Sequence, residues 1–290
     1  MEKPLIGFVG QGYIGKNYAD DIESRGYQTV RYALEEAYKN NKDKIKDCDI
    51  VFVAVPTPTT QSGFDDSIVR GAVALAGAGK IVVIKSTILP GTTDSIQEEN
   101  SDKVVLYSPE FLVAAQAVHD ASHPVRNIIG LPKNDAAHQD AAKRVLEVLP
   151  KAQFEKIMTA REAELTKYTG NSFLYTKVIF ANVFFDIAKS LGADWSVVSE
   201  AVGADPRIGP SHLKVVDASL PGSTAGRGAG GPCLPKDLAA LRWLYEKSGN
   251  AQDLNMAFFK ALEEKNIELL TQSGKDVDIL KGIYGENLPK

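Results

Sequence analysis

Short apolar runs recur along the first 130 positions, separated by stretches with helical spacing. They are 5–9 (Leu-Ile-Gly-Phe-Val), 27–32, 49–55 (Asp-Ile-Val-Phe-Val-Ala-Val), 80–84 (Lys-Ile-Val-Val-Ile), 103–107 and 126–130. Such runs predict the strands of a parallel sheet covered on both faces. The first helix is expected from Ile14 to about Arg25, stopped by Gly26. Ligands of such sheets bind beyond the carboxyl ends of the strands. Those ends are Gly10–Gly15, Pro56-Thr57-Pro58-Thr59, Ser86-Thr87 and Ser108-Pro109-Glu110.

The pattern then changes. Thr159-Ala160-Arg161-Glu162 reads as a capping box, and a proline-free helical pattern follows to Leu191, with Gly192 as C-cap. Such a helix is roughly 45–50 Å long. Phe173, Leu174, Val178, Ile179, Phe180, Val183, Phe184, Phe185 and Ile187 place apolar residues around most of its circumference. A helix of that kind is buried on several sides, so it is expected to join two domains or pack against a second copy. Asp194 is a good N-cap for the next helix, residues 217–231 form a glycine-rich loop, and further helices are expected near 237–247 and 252–272. The fold class is α/β: a Rossmann-type parallel sheet, a long connecting helix, then an all-helical domain. The expected divisions are 1–157, 158–192 and 193–290.

Composition narrows the function. Of 290 residues 44% are hydrophobic and 24% charged, with a formal net charge of -4. That balance gives no reason to expect nucleic acid or an anionic membrane as partner. No apolar run approaches the roughly 18–20 residues that span a bilayer. Met1-Glu2-Lys3-Pro4-Leu5 enters a strand without a signal-peptide pattern, and Cys48 and Cys233 make no disulfide framework. A cytoplasmic protein without a metal site is therefore expected.

Gly10-Gln11-Gly12-Tyr13-Ile14-Gly15 follows the first strand and opens a helix, which is the dinucleotide-binding pattern. Strand two ends Thr29-Val30-Arg31-Tyr32-Ala33, with Ala33 near where a ribose-binding carboxylate is expected; Glu35 or Glu36 are substitutes. Arg31 would suit a 2′-phosphate, which leaves NAD and NADP both open. Lys167 and Asn171, four apart on the long helix, share one face. A lysine against an apolar wall suits acid–base work; taken alone, the pair also reads as a solvated lysine beside a surface asparagine. Gly230-Gly231-Pro232-Cys233-Leu234-Pro235-Lys236-Asp237 puts a thiol, an amine and a carboxylate together. Lys236 and the start of the next helix both favour the thiolate. Alternatively, Cys233 is a small buried hydrophobe and Asp237 the N-cap of 238–247.

Taken in order, the glycine motif, Val53-Ala54-Val55-Pro56-Thr57-Pro58-Thr59, Lys85-Ser86-Thr87-Ile88-Leu89-Pro90-Gly91-Thr92-Thr93, Pro109-Glu110-Phe111-Leu112, Pro124-Val125-Arg126-Asn127-Ile128-Ile129-Gly130, Glu164-Leu165-Thr166-Lys167-Tyr168-Thr169-Gly170-Asn171, Arg207-Ile208-Gly209 and the Cys233 segment resemble the UDP-glucose/GDP-mannose dehydrogenase family over nearly the whole chain. The resemblance implies NAD-dependent oxidation of a nucleotide sugar, UDP-glucose first, at C6 through a cysteine thioester. It assigns the thiol to Cys233 and proton movement with oxyanion stabilisation to Lys167 and Asn171. Asp237 and Thr87 would hold a water, and Glu110 would serve thioester hydrolysis. Cofactor contacts fall on Gly10, Gly12, Tyr13, Ile14, Gly15, Val55, Pro56, Thr57, Ser86, Thr87, Glu110 and Lys236. Substrate contacts fall on Phe111, Leu112, Lys167, Asn171, Arg207 and Gly230. Arg207 would reach the partner's site in a homodimer formed through the long helix.

The sequence departs from the family in three places. It ends at Lys290, where the family usually continues with a second nucleotide-binding-type domain, so weak nucleotide-sugar binding is expected. The stretch between Arg207 and Cys233 looks long, and its Arg227 is a plausible phosphate contact. Val113-Ala114-Ala115 stands where the family tends to carry a charged residue and a glycine. The alternatives are a β-hydroxyacid-type dehydrogenase, which needs no thiol, and an inactive NAD- or sugar-binding remnant.

Overall fold

Seven strands form the main sheet of the computed structural model, which describes residues 3–249 and 251–288. Met1 and Lys290, the ends of the expected first and last domains, lie outside the described residues. Two compact units divide the chain: Met1–Pro58 with Asp65–Lys167, and Thr59–Phe64 with Tyr168–Lys290.

In the first unit the strands are β1 (Ile6–Val9), β2 (Thr29–Tyr32), β3 (Ile50–Val53), β4 (Ile81–Ile84), β5 (Val104–Tyr107), β6 (Arg126–Leu131) and β7 (Phe154–Thr159). Helices α1 (Tyr13–Ser24), α2 (Ser67–Val73), α3 (Thr92–Glu99), α4 (Ala117–Ser122) and α5 (Ala136–Val148) lie between them. The strand order is β2-β1-β3-β4-β5-β6-β7. It reverses at β1, so the crevice between β1 and β3 is the switch point where such sheets take a ligand. One face buries Phe8, Phe52, Val83 and Leu106 against Tyr18, Ile22 and Val145. Alternate positions Val51, Val53, Val82, Ile84 and Val105 are equally inaccessible on the other face, which accounts for the unbroken apolar runs.

Two features depart from the all-parallel expectation. β6 pairs with β5 antiparallel through Tyr107 and Gly130. A parallel return needs a long crossover. Residues 108–125 hold only the 3₁₀ turn Ala114–Gln116 and the short α4, so β6 starts where β5 ended and runs back. β7, parallel to β6, was not foreseen. Its sequence Phe-Glu-Lys-Ile-Met-Thr is largely exposed at the sheet edge and carries no apolar run.

The second unit contains most of α6 (Ala160–Ser190), which starts in the first unit, then α7 (Trp195–Gly203), α8 (Leu234–Lys247), α9 (Asp253–Ser273) and α10 (Val277–Tyr284). The capping box forms as the pattern requires: Glu162 accepts from the Thr159 N–H (2.8 Å), and Thr159 Oγ1 accepts from the Glu162 N–H (3.3 Å). Gly192 follows the helix with φ 71°, and Asp194 caps α7 through the Ser196 N–H (2.8 Å). With 31 residues, α6 spans about 45 Å. Tyr175, Val178 and Ile179 on α6 pack with Leu238, Leu262 and Leu269. Phe173, Phe180, Phe184 and Ile187 remain exposed, so this chain alone buries only one side of the helix. α8 begins three residues before the expected start, because Pro235 is tolerated in a first turn. No helix among the described residues is long and apolar enough to cross a membrane.

Candidate active site

The three motif glycines have distinct geometric duties. Gly10 has φ 95°, and a Cβ there would run into the Ala54 carbonyl. At Gly15 a Cβ would strike the Gly10 carbonyl, so the turn and α1 pack directly on each other. A Cβ at Gly12 would meet nothing within 4 Å, which leaves backbone open to an approaching pyrophosphate. Gly12 is also the N-cap of α1, and no acidic residue occupies the first turn beside Tyr13 and Ile14. This cradle fits a dinucleotide. Ser86 ties the ends of β3 and β4 together: its hydroxyl donates to the Val55 carbonyl (2.7 Å) and accepts from the Val55 N–H (2.9 Å). Pro56 is exposed, Thr57 buried and Thr87 half-buried at the same edge.

Glu110 and Lys167, 57 positions apart, meet in the first unit. Both are buried, and the Lys167 amine donates to Glu110 Oε1 (2.8 Å) and to its carbonyl (2.9 Å). Lys167 therefore faces a carboxylate rather than the apolar wall expected from its neighbours. The Leu112 N–H donates to Glu110 Oε2 (2.8 Å). Phe111 stacks under the Arg126 guanidinium at 3.7 Å, with the Lys167 amine 5.6 Å from its ring.

Sequence reasoning passed over Lys85. It follows directly on an apolar run, yet it is 2% exposed. Its amine lies 4.1 Å from the Tyr18 ring and donates to the Ser108 carbonyl and hydroxyl (3.3 Å each). Burial pushes its pKa down to about 7; the charge of Lys167 acts the same way and Glu110 opposes. Glu164 is a second buried group. It accepts from the Gly91 and Thr93 N–H groups (2.6 and 2.9 Å) at the start of α3, and burial pushes its pKa up to about 7 against those bonds. A charged side chain directly at the end of a buried apolar run, as at Lys85, was the available signal.

In the second unit Cys233 is the N-cap of α8 and is exposed, whereas Cys48 in the first unit is buried with its thiol pushed up to about 11. Asp237 lies inside the first turn of α8, not at its N-cap, because the helix begins at Leu234. It is 1% exposed and bound on both oxygens, by Asn171 Nδ2 (2.6 Å) and by Lys236 Nζ (2.6 Å). Gly230 is half-buried on the approach to Cys233.

Three arginines correct or refine the expectations. Arg31 is held by Asp20 and Glu23 at 2.6 Å each, so its charge is already matched and it makes no case for a 2′-phosphate. Ala33 is buried, and Glu35 and Glu36 are exposed just beyond it. Arg227 bonds Asn182 Oδ1 (2.9 Å), pairs with Asp186 (2.9 Å) and lies over Phe185, which fixes it on α6 instead of offering it to a phosphate. Arg207 is 87% exposed and pairs with Asp205 at 2.6 Å.

Residues 29–149 match the NAD-binding domain of the UDP-glucose/GDP-mannose dehydrogenase family, and residues 161–267 match its central domain. The chain is similar to the UDP-glucose 6-dehydrogenase TuaD of Bacillus subtilis, 32% identical over 240 residues that cover 78% of this chain and 49% of that protein. Among solved structures it is similar to a UDP-glucose dehydrogenase from Pyrobaculum islandicum, with TM-score 0.76 and 29% identity over 93% of this chain and 71% of the other. A 3-hydroxyisobutyrate dehydrogenase from Mycobacterium tuberculosis shares the fold, with TM-score 0.71 and 16% identity over 96% and 97% of the two chains. The chain spans about half the length of the curated relatives it matches. With both family domains matched, and a glycine cradle shaped for the dinucleotide, NAD is the cofactor and the chain belongs to the UDP-glucose/GDP-mannose dehydrogenase family.

Proposed function

We propose that the protein oxidises a nucleotide sugar, UDP-glucose, at C6 to the uronic acid, through a thioester on Cys233. The observation that carries this reading is the exposed thiol at the N-cap of α8, four residues before a buried carboxylate bridged to Asn171 and Lys236. A single-step alcohol dehydrogenation needs no such nucleophile. The relatives named above as UDP-glucose dehydrogenases support the choice of sugar.

The bound cofactor would supply a hydride acceptor for each of the two oxidations, a second NAD replacing NADH between them. In the first, the C6 hydroxyl proton would pass to the water held by Thr87 and Asp237, while the charged Lys167 amine, steered by Glu110, stabilises the developing oxyanion. Cys233 Sγ would then add to the C6 aldehyde, with Asn171 donating to the oxyanion while Asp237 holds the amide in place. Loss of the second hydride leaves the thioester. Water opens it, its proton passing to Glu110, and the acid departs as Cys233 regains its thiol. Thr87 and Asp237 would position water beside C6. Arg207 would reach the partner's site in a homodimer built on α6, whose Phe173, Phe180, Phe184 and Ile187 are exposed here. NADH formed per sugar consumed tests the scheme. Two supports it, one corresponds to hydroxyacid-type dehydrogenation, and none to a binding protein.

A further inference from the structure

The glycine-rich arm leading into Cys233 is held by polar side chains from α9 and the turn that follows it. Asn266 closes both backbone valences of Ala229, accepting from its N–H (2.7 Å) and donating to its carbonyl (2.9 Å). Ser273 Oγ accepts from the Arg227 N–H (3.1 Å). The buried Lys275 amine donates to the Gly228 carbonyl (3.0 Å). Asp276 Oδ2 accepts twice, from the Gly231 N–H (2.8 Å) and from the Ser219 hydroxyl (2.5 Å).

Two further observations single out Asp276. Its φ is 51°, a left-handed conformation that costs a non-glycine residue energy and persists where surrounding contacts over-determine it. A Cβ at Gly230 would run into Asp276 Oδ2 and Ser219 Oγ, so the carboxylate fills the space beside the arm. Glycine segments are entropically costly to order, and this one has almost no side chains of its own with which to pack. Gly231 is two residues from Cys233, a span of about 7 Å. Movement of its N–H therefore passes almost directly to the thiol. Ser273, Lys275 and Asp276 all lie beyond residue 267, where the match to the family's central domain ends.

We propose that Asp276 is a positioning residue for Cys233, the centre of a clasp that sets where the thiol stands at the N-terminus of α8. The proposal rests on Cys233 being the nucleophile only for its catalytic consequence, not for the clasp itself.

The test compares Asp276→Ala, Asp276→Asn and Ser219→Ala in the full chain. The first readout is the iodoacetamide alkylation rate of Cys233, followed by peptide mass spectrometry; buried Cys48 is a silent internal control. The second is kcat and KM for NAD with UDP-glucose as substrate. A thiol released from the helix terminus loses thiolate character, so Asp276→Ala should alkylate Cys233 at least threefold more slowly. Misplacement of a reacting group costs on the order of 100-fold, so kcat should fall by about that factor while KM for NAD stays within about twofold. Both donors share one oxygen, which an amide oxygen reproduces. Asp276→Asn should therefore stay within about threefold of wild type on both readouts. Wild-type alkylation and kcat in Asp276→Ala, or equal losses in Asp276→Asn and Asp276→Ala, would overturn the proposal. If Asp276→Ala does not fold, an unchanged alkylation rate in Ser219→Ala overturns it instead. Wild-type turnover by Cys233→Ser would refute the nucleophile and leave the alkylation result to decide the clasp.

Discussion

Replacing Lys85 by methionine should turn a pH-dependent stability into a nearly flat one. Burial lowers the Lys85 amine from 10.5 to about 7. The folded protein therefore sheds this proton above pH 7, while the unfolded chain keeps it until about 10.5. Between those values the unfolded state binds more protons, so stability rises with pH. At about 1.4 kcal/mol per unit, the cost of burying the charge is on the order of 5 kcal/mol at pH 6. It is gone by about pH 10.5. Methionine removes that cost but also two long bonds to Ser108 and the contact with the Tyr18 ring. Those are together worth roughly 2–3 kcal/mol. Lys85→Met should thus be more stable than wild type by about 2 kcal/mol at pH 6–7. The difference should shrink above pH 7 and reverse at about pH 8–9. Glu110 and Lys167 are the charged groups that act on the amine, and the substitution leaves both in place. Urea denaturation of both proteins at unit steps from pH 6 to 10 measures the difference directly. A difference that does not vary with pH would refute the reasoning, because it would mean that Lys85 stays charged in the folded state throughout.

Cys233→Ser should abolish acid formation at neutral pH, because a serine hydroxyl is a far weaker nucleophile; wild-type acid production would reject the thioester. Glu110→Gln should slow thioester hydrolysis about 100-fold or more and accumulate a sugar adduct on Cys233 visible by mass spectrometry; lower turnover with no adduct would place Glu110 earlier in the reaction. Wild-type protein at micromolar concentration should sediment as a dimer, and Phe180→Glu with Phe184→Glu should shift it toward the 31.3 kDa monomer. A monomeric wild type would remove α6 as an interface.

The six apolar runs, the capping box at Thr159 and the Gly192 stop were legible because each is a local pattern: strand and helix periodicities and cap residues act within a few positions. Chemical candidates could be named for a related reason, since motifs such as Gly10–Gly15 and Gly230–Asp237 set particular residue types at fixed short spacings. What the sequence did not decide depends on contacts between distant residues. The direction of β6 followed from a connection too short to cross back, and β7 formed by pairing with β6 despite its exposed, unpatterned sequence. Lys167 meets Glu110 across 57 positions and Gly231 meets Asp276 across 45, so whether an amine faces an apolar wall or a carboxylate could not be read locally. The same holds for Arg31 and Arg227, which looked available for a phosphate until the fold supplied Asp20, Glu23 and Asp186. Residue type fixes the chemistry a side chain can perform; burial and partners, which only the folded chain assembles, fix whether its charge is spent before a ligand arrives.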